Sequence, residues 1–263
     1  MAQHQFITTE IRDNIFLIGF NRPDKRNAMN TQMLREFALS LTEYEDNDDL
    51  RCAVIFAHGK AFSLGLELDD VSETIKGNAL LPEGAIDPWD AGNGSSRIRK
   101  KPVVVAVHGF CFTLGIELVL ACDVRLAAAA TKFAQVEVQR GIMPFGGATF
   151  RFVQAAGWGN AMRYMLTGDD FGADEAFRMG LIQEIVPKDQ LLDRAIFLAR
   201  RIAEQAPLAV QSTIASARQA IHEGVEACRA ELLPTTLRLM DTEDAAEGVQ
   251  SFVEKRKAQF KGK

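Results

Sequence analysis

Two glutamates stand in otherwise apolar stretches of the sequence. Glu117 lies within segment 106–118, and Glu137 lies within segment 133–138. Apolar surroundings penalise an ionised carboxylate, so they raise its pKa toward values suited to proton transfer near neutrality. Two such groups close together could act as the acid and the base of one reaction. Either glutamate taken alone is better explained by a buried ion pair. The pattern of two therefore suggests acid–base chemistry but does not identify a reaction.

Two glycine-containing turns could hold a carbonyl group. Segments 58–68 and 109–117 each follow an apolar run and pass through glycine into the start of a predicted helix. The first N–H groups of a helix have no intrahelical partner, and two such ends aimed at one point would form an oxyanion hole. Many α/β proteins have turns of this kind that bind nothing. Neither turn has nucleotide-binding spacing, no GxSxG motif occurs, and His108 is predicted to pack or cap.

Apolar runs and helical periodicity predict the elements that must position these groups. The predicted strands are 15–20, 52–57, 103–107, 124–127 and 181–186. A helix is predicted over 31–44, where apolar residues recur at helical spacing. Because the strands are almost entirely apolar and alternate with helices, they predict an α/β fold with a parallel sheet buried on both faces.

The periodicity changes toward the end of the chain. From about residue 190 the pattern is helical, with breaks predicted at 206–207 and 233–234. This change predicts an α/β core over 1–200 and a helical region over 201–263. Segment 78–97 reads as a long irregular loop, and loops of that length often act as lids over functional sites.

Composition excludes several classes of protein. The chain has 263 residues, 47% of them hydrophobic and 25% charged, with a net charge of −5. This balance gives no general attraction to nucleic acid or anionic membranes. Four widely spaced cysteines predict reduced thiols, not a disulfide or zinc framework. Without a signal-like segment or a run of membrane-span length, a cytoplasmic protein is expected.

Motifs along the whole chain resemble those of the crotonase superfamily, which includes the enoyl-CoA hydratases and isomerases. The matching segments are 21–30, 59–66, 106–123, 135–144, 166–176 and 247–256. The resemblance implies a crotonase-like ββα spiral core with a C-terminal helical trimerisation region. It also implies an acyl-CoA thioester substrate. Because this fold hosts hydratases, isomerases, hydrolases, decarboxylases and dehalogenases, the fold alone does not decide the reaction.

The resemblance assigns roles to four residues. The backbone N–H groups of Leu66 and Leu114 would hold the thioester oxygen, while Glu117 and Glu137 would flank a water molecule. Both acids are present, 20 positions apart, whereas simple isomerases of the superfamily usually keep one. A 2-enoyl-CoA hydratase is therefore favoured, with a double-bond isomerase or another crotonase-type acyl-CoA reaction as the alternative. Which glutamate is the acid stays open. No metal or redox cofactor is implied, since coenzyme A enters with the substrate.

Four positions depart from the hydratase pattern. Dienoyl-CoA isomerases carry an aspartate eight positions after the second acid, where this chain has Phe145. The phenyl ring argues against that reaction, but hydratases commonly have a small residue here, so the ring could also obstruct hydration. Thr113 and Leu114 replace part of a frequent glycine triplet, and the Leu114 side chain could crowd the acyl group. Glu67 stands where aspartate is usual and is assigned no catalytic role.

The resemblance also suggests substrate contacts. The candidate substrate-binding residues are Lys25, Arg26, Ala28, Lys60, Ala61, Gly65, Met143, Phe145, Phe252 and Lys255. The basic residues near the opening motif would face the phosphates of coenzyme A. Phe252 and Lys255 would reach it from a helix that often belongs to a neighbouring subunit. Met143 and the loop would shape the acyl pocket, with Trp89 as a possible wall.

Assembly and non-enzymatic roles complete the expectations. Apolar residues of the C-terminal helices predict a subunit interface; they are Leu232, Leu233, Leu237, Leu239 and Met240. The family forms trimers, often paired into hexamers.

Some family members bind AU-rich RNA through a lysine-rich helix, but segment 31–46 has one arginine against several acids and would repel phosphates. A catalytically silent family member is disfavoured because both glutamates are present.

Overall fold

The computed structural model describes residues 4–77, 79–92 and 97–263 of the chain. Its strands are β1 (Ile7–Arg12), β2 (Ile15–Phe20), β3 (Cys52–Ala57), β4 (Val103–Val107), β5 (Phe110–Phe112), β6 (Val124–Ala128), β7 (Lys132–Ala134), β8 (Asp170–Gly172) and β9 (Glu184–Val186). Its helices are α1 (Thr31–Asp46), α2 (Leu68–Lys76), α3 (Leu114–Ala121), α4 (Ala148–Ala156), α5 (Trp158–Thr167), α6 (Ala173–Arg178), α7 (Leu191–Ala203), α8 (Pro207–His222), α9 (Val225–Met240) and α10 (Glu243–Glu254).

The main sheet has the strand order β1-β2-β3-β4-β6-β9. All of its pairings are parallel except β1 with β2. The predicted parallel sheet is therefore confirmed, with β1 added as an antiparallel edge. The last predicted strand is shorter than expected, because Leu181 and Ile182 are buried in a turn before β9. A smaller sheet, β5-β7-β8, carries the second glycine turn.

Helices cover both faces of the main sheet, as all-apolar strands require. On one face α7 packs through Leu191, Ala195 and Ala199, which lie at helical spacing. The other face carries the larger core, to which α1 and α3 contribute. Since α7 packs on the sheet and spans residue 200, the division of the chain at that residue stays a prediction.

The C-terminal region is helical, as predicted, but one of its breaks is wrong. Pro207 begins α8, where a proline is tolerated because the first N–H of a helix has no acceptor. Pro234 instead lies inside α9, whose start follows Gly224 and whose end is at Met240. A single interior proline removes one backbone hydrogen bond, which the surrounding turns of this long helix tolerate here. In the described residues no helix is long and apolar enough to cross a membrane.

The loop between α2 and β4 is irregular but anchored. Its described part buries Leu80, Leu81, Ile86 and Trp89 in the core. Residues 78 and 93–96 of the predicted loop lie outside the described residues.

The four cysteines are free thiols, as expected.

Candidate active site

A buried asparagine joins the opening motif to the first glycine turn. The Asn27 side-chain oxygen accepts a hydrogen bond from the Arg22 N–H at 2.7 Å. Its amide donates to the carbonyls of His58 at 2.9 Å and Ala61 at 2.8 Å. Glu67 adds an ion pair with Arg22 at 2.5 Å. The first turn is thus held by side chains that are distant in sequence.

The backbone pairing of the first turn turns the Leu66 N–H away from the neighbouring segment. Met29 bridges Leu66 in parallel register: the Met29 N–H donates to Gly65 at 2.7 Å, and the Glu67 N–H donates to Met29 at 2.9 Å. In parallel pairing, the residue between two such bonds directs its own N–H to the opposite side. Accordingly, the Leu66 N–H has no hydrogen-bond acceptor among the described residues.

The second turn joins β5 to α3 through a residue in a strained conformation. The Phe112 N–H donates to Ser63 at 3.0 Å and the Thr113 N–H donates to Ala134 at 2.9 Å, so the turn is anchored to the first turn and to β7. Thr113 has φ 50° and ψ −118°, a left-handed conformation that a β-branched residue rarely adopts. α3 then begins at Leu114, whose N–H is in the first helical turn and has no intrahelical acceptor.

Both turns face one cavity of about 370 Å³. It is lined by Arg26, Leu64, Leu66, Leu68, Phe110, Phe112, Thr113, Leu114, Glu117, Val136, Glu137, Gln139, Arg140, Ile142 and Phe145. The structure therefore brings together both predicted catalytic glutamates and both predicted oxyanion residues. A larger cavity of about 730 Å³ lies between the end of α1 and the C-terminal residues, but it contains none of these four.

Glu117 is held by the N-terminus of α4. Its side chain is almost fully buried, and its Oε1 accepts a hydrogen bond from the Ala148 N–H at 3.0 Å. A Cβ on Gly146 would stand 2.9 Å from Glu117 Oε2, so this close approach needs glycine. Burial raises the pKa of Glu117 to about 7, against the opposing effect of N–H groups from Ala148, Gly146 and Gly147. Glu117 can therefore exist in either protonation state near neutrality.

Glu137 lies in a short 3₁₀ turn, Glu137–Arg140, after β7. Its Oε1 accepts a hydrogen bond from the Gln135 amide at 2.9 Å, and Gln135 is itself fully buried. Within the described residues, Glu137 Oε2 and Gln135 Oε1 are buried without a protein partner. Burial raises the pKa of Glu137 to about 7, and the charge of Glu117 adds to the rise. Glu137 therefore lines the same cavity as Glu117 and keeps one carboxyl oxygen without a protein partner among the described residues.

The α2–β4 loop is hydrogen-bonded to both α3 and α4. The Trp89 indole N–H donates to the Leu114 carbonyl at 3.0 Å. Arg151 of α4 donates to the carbonyls of Trp89 at 2.6 Å and Asp90 at 2.7 Å. Because the first N–H of α4 also bonds the Glu117 carboxylate, these contacts connect the second turn to a candidate catalytic group. Trp89 is fully buried and supports the cavity instead of lining it.

Several predicted substrate contacts lie outside the cavity lining. Lys60, Phe252 and Lys255 are exposed, and Lys255 ends α10. Ala61 and Gly65 are buried residues of the first turn itself, Ala28 belongs to the opening motif, and Lys25 lies 3.3 Å from Glu67 in an ion pair. Met143 is 62% exposed, while its neighbours Ile142 and Phe145 line the cavity. Contacts of these outlying residues with a substrate stay predictions.

Sequence reasoning missed the supporting residues. Asn27 bonds the first turn and Trp89 bonds Leu114, contacts between distant parts of the chain that no local pattern reveals. Trp89 itself was predicted only as a possible wall of the acyl pocket. Gln135 gave a signal, since it is a polar residue in an apolar segment, but no role was assigned to it. Among the described residues, no group of three or more His, Cys, Asp or Glu side chains could hold a metal ion. That the chemistry needs no metal stays a prediction.

Comparison with known proteins gives the family. Residues 10–263 match the model of the family described as enoyl-CoA hydratase/isomerase. A probable enoyl-CoA hydratase of Mycobacterium tuberculosis is 32% identical over 98% of both chains. A crotonyl-CoA hydratase of Syntrophomonas wolfei is 31% identical, also over 98% of both. The crystal structure of a probable enoyl-CoA hydratase/isomerase from Mycobacterium abscessus is 49% identical with a TM-score of 0.96, covering 99% of this chain and 100% of the other. The predicted crotonase-like fold is confirmed, and the chain belongs to the enoyl-CoA hydratase/isomerase family.

Proposed function

We propose that this protein hydrates 2-enoyl-CoA thioesters to 3-hydroxyacyl-CoA by syn addition of water. The observation that carries the proposal is the pairing of two buried glutamates, each with a pKa of about 7, in one cavity. The unpaired N–H groups of Leu66 and Leu114 at the same cavity support it, because they suit a carbonyl oxygen that gains negative charge.

The reaction needs one carboxylate and one carboxylic acid. The carboxylate takes a proton from water as the water oxygen bonds to C3 of the enoyl group. The electron pair of the C2–C3 double bond moves toward the thioester, whose oxygen gains negative charge and is held by the N–H groups of Leu66 and Leu114. The second glutamate then delivers its proton to C2, which completes the 3-hydroxyacyl product.

The contacts of the two glutamates favour Glu117 as the base and Glu137 as the acid. Glu117 accepts a backbone N–H bond from Ala148, and such a donor stabilises the ionised form. Glu137 accepts a neutral amide bond on one oxygen and has no protein partner on the other. Glu137 lines the cavity, so in its protonated form it could supply the proton that C2 must receive.

A double-bond isomerase is the second candidate, and Phe145 is the observation that favours it. Its ring lines the same cavity as both glutamates. A ring at that position reduces the space for a water molecule, while proton transfer between C2 and C4 needs no water. An isomerase would use the same enolate-stabilising N–H groups.

Product analysis separates the two candidates. Crotonyl-CoA is incubated with the protein in H₂¹⁸O, and 3-hydroxybutyryl-CoA carrying ¹⁸O at C3 is expected. A parallel incubation with a 3-enoyl-CoA tests the alternative, which predicts rising absorbance of the conjugated thioester. Formation of conjugated product from the 3-enoyl substrate, with no labelled hydroxyacyl-CoA from crotonyl-CoA, would replace hydration by isomerisation.

We further propose that the protein is a cytoplasmic homotrimer or dimer of trimers. Support for assembly comes from α9, where Leu232, Leu233, Leu237 and Met240 are each more than half exposed. Exposed apolar groups of this kind typically mark an interface. In such an assembly Phe252 and Lys255 could contact coenzyme A bound to a neighbouring subunit, and Lys25, Arg26 and Lys60 could face its phosphates. No role for nucleic acid is proposed.

A further inference from the structure

We propose that the Thr113 hydroxyl is a third hydrogen-bond donor to the thioester oxygen, beside the N–H groups of Leu66 and Leu114. The inference rests on the proposed function, since it places an acyl-CoA thioester in the cavity. It concerns a residue that stands where hydratases often have glycine.

The backbone of Thr113 is the first observation. Its φ of 50° with ψ of −118° is a conformation that glycine adopts freely and a β-branched residue adopts at a cost. Such conformations persist where the surroundings over-determine them, and they concentrate at active sites. Glycine would adopt these Thr113 backbone angles without cost. The threonine side chain must therefore have a role that glycine could not fill.

The place of the side chain is the second observation. Thr113 Oγ1 lies 1.6 Å from the point where a Cβ on Gly65 would stand. It is therefore packed against the residue that precedes Leu66, while its own main chain continues into Leu114. Thr113 also lines the cavity. The hydroxyl lies where the two turns that carry the oxyanion donors meet.

The bonding of the hydroxyl is the third observation. Thr113 is the N-cap residue of α3, and a threonine there ordinarily accepts a hydrogen bond from an N–H of the first turn. Thr113 makes no such bond. The side chain lies against Gly65, and among the described residues its hydroxyl donates to no acceptor, so its hydrogen is available to a ligand.

A donor in this position would act on the developing charge. The thioester oxygen becomes more negative when water adds to C3, so a fixed O–H bond to it is stronger in the transition state than in the bound substrate. Loss of the donor should therefore lower kcat and leave KM nearly unchanged.

Two variants separate the hydroxyl from the shape of the side chain. Thr113→Val keeps the branched shape and removes the hydroxyl, whereas Thr113→Ser keeps the hydroxyl. We expect Thr113→Val to lower kcat for crotonyl-CoA hydration by about 10- to 100-fold, since one oxyanion donor is typically worth about that much or more. Thr113→Ser should stay within about threefold of the native protein. Equal kcat in the native protein and a folded Thr113→Val would overturn the proposal.

Thr113→Gly keeps the proposal testable if the valine variant does not fold. Glycine relieves the left-handed strain, so this variant should unfold at a higher temperature than the native protein while its kcat falls. A purely structural role for Thr113 predicts no loss of kcat in this more stable variant. Unchanged kcat in Thr113→Gly would therefore also contradict the donor role.

An infrared measurement reads the hydrogen bond without turnover. Butyryl-CoA labelled with ¹³C at the thioester carbonyl binds without reacting, and donors to its oxygen lower the stretching frequency. Removal of the Thr113 hydroxyl should raise the frequency in Thr113→Val and not in Thr113→Ser. An identical frequency in both variants would refute the donor role. A valine-specific shift in a protein that hydrates no enoyl-CoA would refute the proposed function and leave the donor role standing.

Discussion

At the residue scale, the two glutamates reach similar pKa values through different surroundings. Burial dominates for both, but Glu117 is opposed by backbone N–H groups and Glu137 is raised further by its neighbour. Because the two charges interact, their protons belong to the pair. One proton shared by two carboxyl groups is the state that the proposed reaction requires.

The shared proton predicts a bell-shaped pH dependence. Since both pKa values are about 7, kcat/KM should peak near neutrality and fall on both sides. Below the peak both groups are protonated and the base is lost; above it both are ionised and the acid is lost. Initial rates of crotonyl-CoA hydration from pH 5 to pH 9 would check this. A rate that is constant over that range would contradict the shared-proton state.

The raised pKa values also predict how stability depends on pH. A carboxyl group whose pKa rises from 4.5 to about 7 on folding favours the folded state below pH 4.5, and this contribution is lost as the pH rises through 7. The loss is roughly 3 kcal/mol for Glu117 at pH 8, from about 1.4 kcal/mol per pKa unit. Glu117→Gln should therefore lose less stability than the native protein between pH 5 and pH 8.

Urea unfolding at both pH values, at one protein concentration, measures this difference. Glu83→Gln is the matched control, because Glu83 is exposed on the α2–β4 loop. The same loss of stability in the native protein and in Glu117→Gln would contradict the buried, pH-sensitive state of Glu117.

At the element scale, the site depends on how the α2–β4 loop supports α3. Trp89 reaches the Leu114 carbonyl, and Arg151 of α4 holds the Trp89 carbonyl in turn. The loop thus contacts both α3, which carries Glu117 and the proposed oxyanion donor Leu114, and α4, whose first N–H bonds the Glu117 carboxylate. This arrangement makes the loop part of the scaffold and not only a cover.

Trp89→Phe tests the contribution of the loop. The ring is largely kept but the indole donor is lost, so stability should fall by about 1 kcal/mol and kcat should fall several-fold as Leu114 loses its support. Trp158→Phe is the matched control, because Trp158 is 71% exposed. Thermal unfolding and crotonyl-CoA hydration would be measured for both. Equal behaviour of the two variants would show that the bond to Leu114 has no role.

The elements also show what the sequence could predict. Long apolar runs such as β3 and β4 were predicted correctly, because buried parallel strands have an unmistakable composition. The three-residue strands β5, β7 and β8 were missed, since so short a segment carries no periodicity. Glu117 and Glu137 were found from local context and resemblance. The contacts of Asn27, Trp89 and Arg151 could not be predicted, because their partners are set by tertiary packing; for Trp89 the sequence suggested only a possible pocket wall.

At the scale of the whole molecule, α9 exposes large apolar side chains that the proposed assembly would cover. Leu233 is 65% exposed and Leu237 is 52% exposed. If these residues pack between subunits, Leu233→Glu and Leu237→Glu bury a charge at the interface, which is strongly unfavourable. Each variant should shift the protein from trimer or hexamer toward monomer.

Light scattering coupled to size-exclusion chromatography measures the assembly. Leu39→Glu makes the same change at an exposed position of α1 and should leave the assembly intact. A monomeric native protein, or an unchanged mass in both α9 variants, would contradict the proposed interface.

The central claim is that two glutamates together hydrate a 2-enoyl-CoA. The most direct test is the loss of ultraviolet absorbance of crotonyl-CoA and longer 2-enoyl thioesters with the native protein, Glu117→Gln and Glu137→Gln. We predict rapid loss with the native protein and a drop in kcat of about 10²-fold or more in each variant, because general acid–base groups contribute about that much. No loss at any chain length in a native protein that binds acyl-CoA would contradict the account, as would full activity in either variant.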